Sequence, residues 1–347
     1  MKNYFSTTLV FFFLISNLSF SQKLSTKDSI TTFYSHLLDS IQAKYLNSEK
    51  VNWKQVKVST IENAIRANSF EESLNQIIKL FDTIDCNHCE LFTDKGSYKS
   101  TLNKPLSQDD FSMEFLLKLE KKPSFEVKLI NENIGYVIIP GMLMIDLSQN
   151  ALNIETQKMY DEIAQLAKKN ELNGWIIDLR FNIGGNVYPM LAALHSLLGD
   201  NIVYNTVDKN GSVILPHRLK NGGFYSGKKL ETEAKISVSP NLSVPVAIIT
   251  GKMTGSAGED IAVAFKNRTN VIFIGEKSYG LLTGNDLIDF PFNLKLALTT
   301  SYISDINNKY EPYITPDVEI IKKDNFEDLL KDQNIIRAIE FFESKRD

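Results

Sequence analysis

The chain is poor in the residues that usually announce a chemistry. It has two cysteines and four histidines in 347 residues; two thiols cannot make a disulfide framework, and no further Cys or His follows closely enough to complete a zinc site around them. Apart from one short run near its start, no segment is apolar for the roughly 20 residues that a bilayer span takes. Neither charge dominates, since 38 Lys and Arg against 42 Asp and Glu leave a net charge of −4. No window gathers enough Lys or Arg to follow a phosphate backbone, so nucleic acid is not an expected partner. Internal repeats and low-complexity segments are also missing. What remains is 43% hydrophobic and 23% charged, the composition of a globular protein with material for a real core, and at about 150 residues per domain the length suggests two domains.

Residues 1–21 read as a signal peptide. Lys2 is the only charge before Lys23, Leu9-Val-Phe-Phe-Phe-Leu-Ile15 is the apolar run, and Ser19 and Ser21 stand at the −3 and −1 positions of a cleavage site. Cleavage would leave Gln22, not a lipid-accepting cysteine, at the new terminus. The expected product is exported to a periplasmic or extracellular location and, after cleavage, is not attached to a membrane.

Residues 22–92 form an expected N-terminal helical domain. Ile30, Phe33, Tyr34, Leu37, Leu38, Ile41 and Tyr45 recur at helical spacing after a start near Ser25 or Thr26, and Ser59 with Glu62 and Ser69 with Glu72 have the spacing of capping boxes. Residues 93–124 read as a connector with one helix near Phe111–Leu119. Residues 125–322 alternate strands, Gly-rich loops and helices: strands at 135–140, 174–180, 244–250, 271–274 and 294–300, and helices at 154–169, from about 186 to Gly199, and at 257–266. This alternation predicts an α/β core. Residues 323–347 carry a last helix capped by Asn325.

Chemistry concentrates at the ends of those strands. Ser256, between Gly255 and Gly258 at a strand-to-helix junction, is a candidate nucleophile whose surroundings favour developing negative charge; a plain helix cap is the alternative. The hydrolase elbow G-x-S-x-G is not present, because Thr254 holds the first glycine position. Gly184 and Gly185, closing Asp178-Leu-Arg-Phe-Asn-Ile-Gly-Gly185, could offer backbone amides to an oxyanion. Neither nucleotide-loop spacing occurs there. A serine hydroxyl needs a base. His36 and His195 read as helix packing residues, His217 as solvated in a polar loop, and His88 lies in Asp85-Cys-Asn-His-Cys89, where the helical domain ends.

Taken together, four blocks in order resemble the C-terminal-processing serine peptidases and their relatives, the tricorn core protease and the retinoid-binding repeats of the interphotoreceptor protein. They are Asp178-Leu-Arg-x-Asn-x-Gly-Gly185, Thr254-Gly-Ser-Ala-Gly-Glu259, Gly275-Glu276 with Tyr279-Gly280, and Glu311-x-x-Ile-x-Pro-Asp317. The resemblance implies a ClpP/crotonase-like core of β-β-α units with Ser256 as nucleophile. The tail-specific branch would place a lysine after Tyr279-Gly280, and Leu281 stands there instead. In the tricorn-like branch the base is a histidine aided by a glutamate before the closing Pro-Asp, positions that His88 and Glu311 fit. Asn87 occupies the place of that branch's relay serine, and about 45 residues between His88 and Gly135 leave no room for a peptide-binding PDZ module.

The resulting expectation is an exported serine peptidase. Ser256 attacks, His88 is the base, Glu311 orients it, and amides of Gly184 or Gly185 and of Ala257 hold the oxyanion. Its partner would be a peptide or protein substrate, with no cofactor or metal. Two other classes are weighed beside it: a non-catalytic peptide or hydrophobic-ligand binding module on the same fold, and a thiol oxidoreductase using Cys86 and Cys89. For the cysteines, a local disulfide or a thiol pair holding the His88 turn is favoured over a redox site, because the motif ends a helical segment rather than following a strand.

Overall fold

The computed structural model describes residues 25–102, 105–169 and 171–345; the expected signal peptide lies outside them. The N-terminal part is helical. α1 (Thr26–Lys44) is capped by Ser25, whose hydroxyl accepts from the Asp28 amide, and buries Ile30, Phe33, Tyr34, Leu37, Leu38 and Ile41, the stripe read from the sequence. α2 (Trp53–Ala64) starts at Asn52, so Ser59 falls inside a helix and donates to the Val56 carbonyl instead of capping one. α3 (Phe70–Ser73) does start at Ser69, which accepts from the Glu72 amide. α4 (Gln76–Thr83) ends at the turn that carries His88.

That turn feeds β1 (Glu90–Thr93) and β2 (Gly96–Lys99). After α5 (Met113–Glu120), capped by Ser112, come β3 (Glu126–Ile130), β4 (Ile134–Ile138), α6 (Gln149–Lys169), β5 (Gly174–Asp178), α7 (Val187–Ala193) and α8 (His195–Leu198). A meander of β6 (Asn201–Val207), β7 (Val213–Lys220), β8 (Gly223–Ser226) and β9 (Lys229–Glu233) follows. The chain then makes β10 (Val246–Thr250), α9 (Ala257–Phe265), β11 (Val271–Gly275), β12 (Thr283–Phe290), β13 (Leu294–Ser304), β14 (Val318–Glu319) and α10 (Gln333–Glu343).

One sheet has the order β14-β11-β10-β5-β4-β3 and is parallel except where β3 meets β4. Its strands are covered on both faces, and alternate residues divide between two cores. Trp175, Ile177, Val246 and Ile248 pack with α6, α7 and α9, while Tyr136, Ile176, Ala247 and Ile249 pack with α5 and α10. At the end of β5 the Asp178 carboxylate accepts from Arg180 and from the Tyr136 hydroxyl, and Arg180 also reaches Asp324 and Asp332. Those bonds fasten the C-terminal segment to the mouth of the sheet. Asp332, not Asn325, caps α10; Asn325 accepts from Asp328 in a turn before it.

The second sheet runs β2-β1-β13-β6-β7-β8-β9, with β12 also paired to β13. It crosses the boundary drawn at residue 92, because Glu90, Leu91 and Phe92 pair with Ala297, Leu296 and Lys295. The N-terminal helices share one core with Phe290, Leu294, Leu296 and Leu298. His88 is thereby delivered from the helical part to the strands that follow Ser256 in the chain. His217 lies in β7 rather than in a loop. Pro216 made that segment read as irregular, and the strand accommodates it between two register shifts against β6.

Candidate active site

The loops leaving β5 and β10 meet at the C-terminal edge of the parallel sheet, where ligand sites of such sheets lie. Backbone and side-chain bonds fuse them. The Gly255 amide donates to the Asn182 carbonyl, and the Thr254 hydroxyl donates to the Leu179 carbonyl while accepting from the Gly251 amide. Between them Ser256 has φ 50° and ψ −119°. A non-glycine residue in that region costs about 1–3 kcal/mol and persists where its surroundings over-determine it. The strained turn is thus built without the glycine that the hydrolase elbow would place at Thr254.

The conformation brings Ser256 against Gly184, where an added methyl would lie 2.9 Å from the serine Cβ. Gly185 has φ 109°, and a methyl there would lie 2.0 Å from the Met142 carbonyl oxygen. Met142 runs alongside it as a parallel bridge. The expected oxyanion donors separate here. The Gly184 amide already donates to the Asn182 side chain, so it is removed from the set. The amides of Gly185 and of Ala257, the first residue of α9, have no acceptor among the described residues.

Glu259 is the residue whose function the sequence did not reveal. It is fully buried, and burial raises its pKa against the lowering effect of its donors. Its carboxylate accepts from the amides of Ser256, Gly280 and Leu281 at 2.9, 2.9 and 2.8 Å and from the Ser278 hydroxyl. One side chain therefore ties the serine turn to the 278–281 segment, and the Tyr279 amide adds a bond to the Thr254 carbonyl. The signal was present as Ser256 and Glu259 at capping-box spacing. Leu281, standing where a dyad lysine would be, contributes its amide to this hub. The two lysines close by in sequence are otherwise engaged: Lys252 pairs with Asp110 at 3.0 Å, and Lys277 lies over the Tyr313 ring.

The same segment continues into β12 and to His88. Nδ1 of His88 is 2.6 Å from the Thr283 hydroxyl, and the Asn285 side chain donates to the His88 carbonyl. Cys86 and Cys89 are joined by a disulfide whose Cα atoms are 5.4 Å apart. Both are 1% exposed, which bars the partner access that a thiol oxidoreductase requires. Burial lowers the His88 pKa from 6.5 to about 4, so the ring is neutral at pH 7. No hydrogen bond joins Ser256 to His88 among the described residues; the two are brought to opposite ends of the short 281–283 stretch.

Glu311, expected to orient His88, is placed elsewhere. Its carboxylate bridges Lys266 and Lys309, which hold its pKa below the ordinary value, and no bond links it to His88 among the described residues. The other histidines have structural partners: His36 packs on Phe290, His195 bonds Asp200 at 2.8 Å, and His217 bonds Thr206 at 2.8 Å. No group of three or more Cys, His, Asp and Glu suited to a metal ion occurs among the described residues.

The parallel sheet thus delivers Ser256 on a strained turn beside two amides with no acceptor among the described residues, and the half-buried His88 is bonded to the segment that Glu259 ties to that turn. The chain belongs to Peptidase family S41, whose profile matches residues 133–320, more than half of its length. It is a serine peptidase by family. The nisin-resistance protein of Lactococcus lactis subsp. lactis is 26% identical over 278 residues, 79% of this chain and 78% of that one. A lipoprotein from Streptococcus agalactiae has the same fold, with a TM-score of 0.67 at 20% identity over 91% of this chain and 96% of that one. A candidate peptidase from Parabacteroides merdae gives 0.56 at 17% identity over 90% and 96%. These likenesses cover the helical part as well as the α/β core. Among the described residues no helix is long and apolar enough to cross a membrane.

Proposed function

We propose that the protein hydrolyses peptide bonds through an acyl-enzyme, with Ser256 as nucleophile, His88 as base and the amides of Gly185 and Ala257 as the oxyanion hole. The carrying observation is the strained Ser256 turn, held by Glu259 beside two amides that lack acceptors among the described residues. In the first step the Ser256 hydroxyl forms a bond to the scissile carbonyl carbon while its proton passes to Nε2 of His88. The carbonyl oxygen takes up the charge and is met by the two amides. Collapse returns that proton to the leaving amine, and water then releases the acyl group by the same steps. A neutral imidazole is the form this requires.

Export fits the reading. It is supported by the signal-like residues 1–21, by a disulfide of the kind that persists in oxidising compartments, and by the likeness to a lipoprotein. The name of the Lactococcus relative makes nisin a substrate to try beside a general peptide library. The test is treatment with a fluorophosphonate probe followed by peptide mapping, together with the turnover of Ser256→Ala. The probe should sit on Ser256, and the variant should fall to background turnover with its fold intact, because alanine replaces only a hydroxyl. Turnover retained in the variant would reject the assignment.

A further inference from the structure

The reading above leaves His88 without a carboxylate, and the tautomer of its ring decides whether it can act. A base toward Ser256 needs a bare Nε2, which requires the proton on Nδ1. The only side chain bonded to the ring among the described residues is Thr283, 2.6 Å from Nδ1, and the Thr283 hydroxyl has no other partner there. The placement of this threonine is fixed from both sides. Its amide donates to the Leu281 carbonyl, Leu281 is held by Glu259, and two residues on, Asn285 grips the His88 carbonyl and accepts from Thr299. The hydroxyl therefore belongs to the framework that also holds the serine turn.

The charges around the ring do not substitute for it. Asp85 on its own turn is exposed, Glu90 on β1 is paired with Lys99, and on β12 Asp286 is exposed and Asp289 is paired with Lys295. Facing Asn285, β13 offers the neutral Thr299. Burial alone accounts for the low pKa of His88.

We propose that Thr283 is the positioning residue of the active site: it accepts the Nδ1 proton of His88, locks the ring with Nε2 bare, and fills the place that a carboxylate holds in a Ser-His-Asp triad. A hydroxyl orients the ring as a carboxylate would, without a full negative charge to stabilise the imidazolium. The peptidase consequently works with a weak, neutral base. This inference rests on the assignment of His88 and Ser256.

Two measurements test it. Nitrogen-15 spectra of the ring in the unmodified protein should show the proton on Nδ1, and this result does not depend on whether Ser256 proves to be the nucleophile. A proton on Nε2 would overturn the proposal. In steady-state kinetics Thr283→Val should lower kcat about tenfold, the usual worth of one hydrogen bond, with little change in KM, and Thr283→Ser should restore it. Thr283→Asp should move the acid limb of the rate upward from near pH 4, because a carboxylate beside the ring favours its charged form. Unchanged kcat in Thr283→Val, or an acid limb that stays in place in Thr283→Asp, would reduce Thr283 to packing. Failure of the probe to label Ser256 in the unmodified protein would instead strike the parent reading.

Discussion

The proposed nucleophile and the proposed base are held in different ways. Ser256 sits inside the α/β core on a turn fixed by its immediate neighbours: Gly255 on Asn182, Thr254 on Leu179, and the Ser256 amide on Glu259. His88 comes from the helical part some 170 residues earlier in the chain. Its position depends on the β1 to β13 pairing, the disulfide across its turn and two side chains of β12. A site assembled in this way has one half that is stable by local geometry and one that is only as well placed as the seam between two parts of the molecule.

Breaking the remote half should have the largest effect after loss of the serine itself. His88→Ala is expected to lower kcat by roughly two to four orders of magnitude, the range for a general base, while circular dichroism reports an unchanged fold. A loss of only a few-fold in steady-state assays would mean that another group takes the proton. Glu259→Gln strikes the junction between the halves. The amide that replaces one oxygen points its own hydrogens at groups that donate, leaving buried donors unpaired at about 1–3 kcal/mol. Denaturant unfolding should show that loss, and kcat should fall as well. Glu311→Gln sharpens the comparison from the other side. With Glu311 bound to Lys266 and Lys309 rather than to His88, the change should leave kcat within about two-fold, since half-exposed ion pairs contribute little. A large fall in kcat would return Glu311 to the role that the family resemblance implied.

Legibility in the sequence followed the same divide. The strand, Gly-rich loop and helix around Ser256 are contiguous, so their periodicity and small residues point to the α/β fold and to the candidate nucleophile together. Glu259 stood within the block that marked the serine, yet three of its four donors, Ser278, Gly280 and Leu281, come from a turn that no spacing rule connects to it. The choice between Gly184 and Gly185 turned on a single side chain, Asn182, folding back onto an amide. The family resemblance selected Glu311 as the partner of His88. In space the strand β12 reaches the ring first, and it does so with a threonine, a residue whose type does not suggest catalysis. Ser59 and Asn325 misled for a simpler reason: hydroxyls and amides that suit a helix start also serve inside helices and in turns.

The central claim, that Ser256 is activated by a half-buried, neutral histidine, is tested most directly by the pH dependence of its labelling rate with a fluorophosphonate probe, run on the unmodified protein and on His88→Ala. Protonation of His88 disables the base, so the rate should be level at neutral pH and fall as the pH drops through about 4, and His88→Ala should label slowly at every pH. The fold must be monitored alongside. A histidine with a lowered folded pKa makes the protein less stable as the pH falls below 6.5, because the unfolded chain binds the proton first. A rate that instead rises only at alkaline pH and is indifferent to His88→Ala would identify a lysine base and contradict the account.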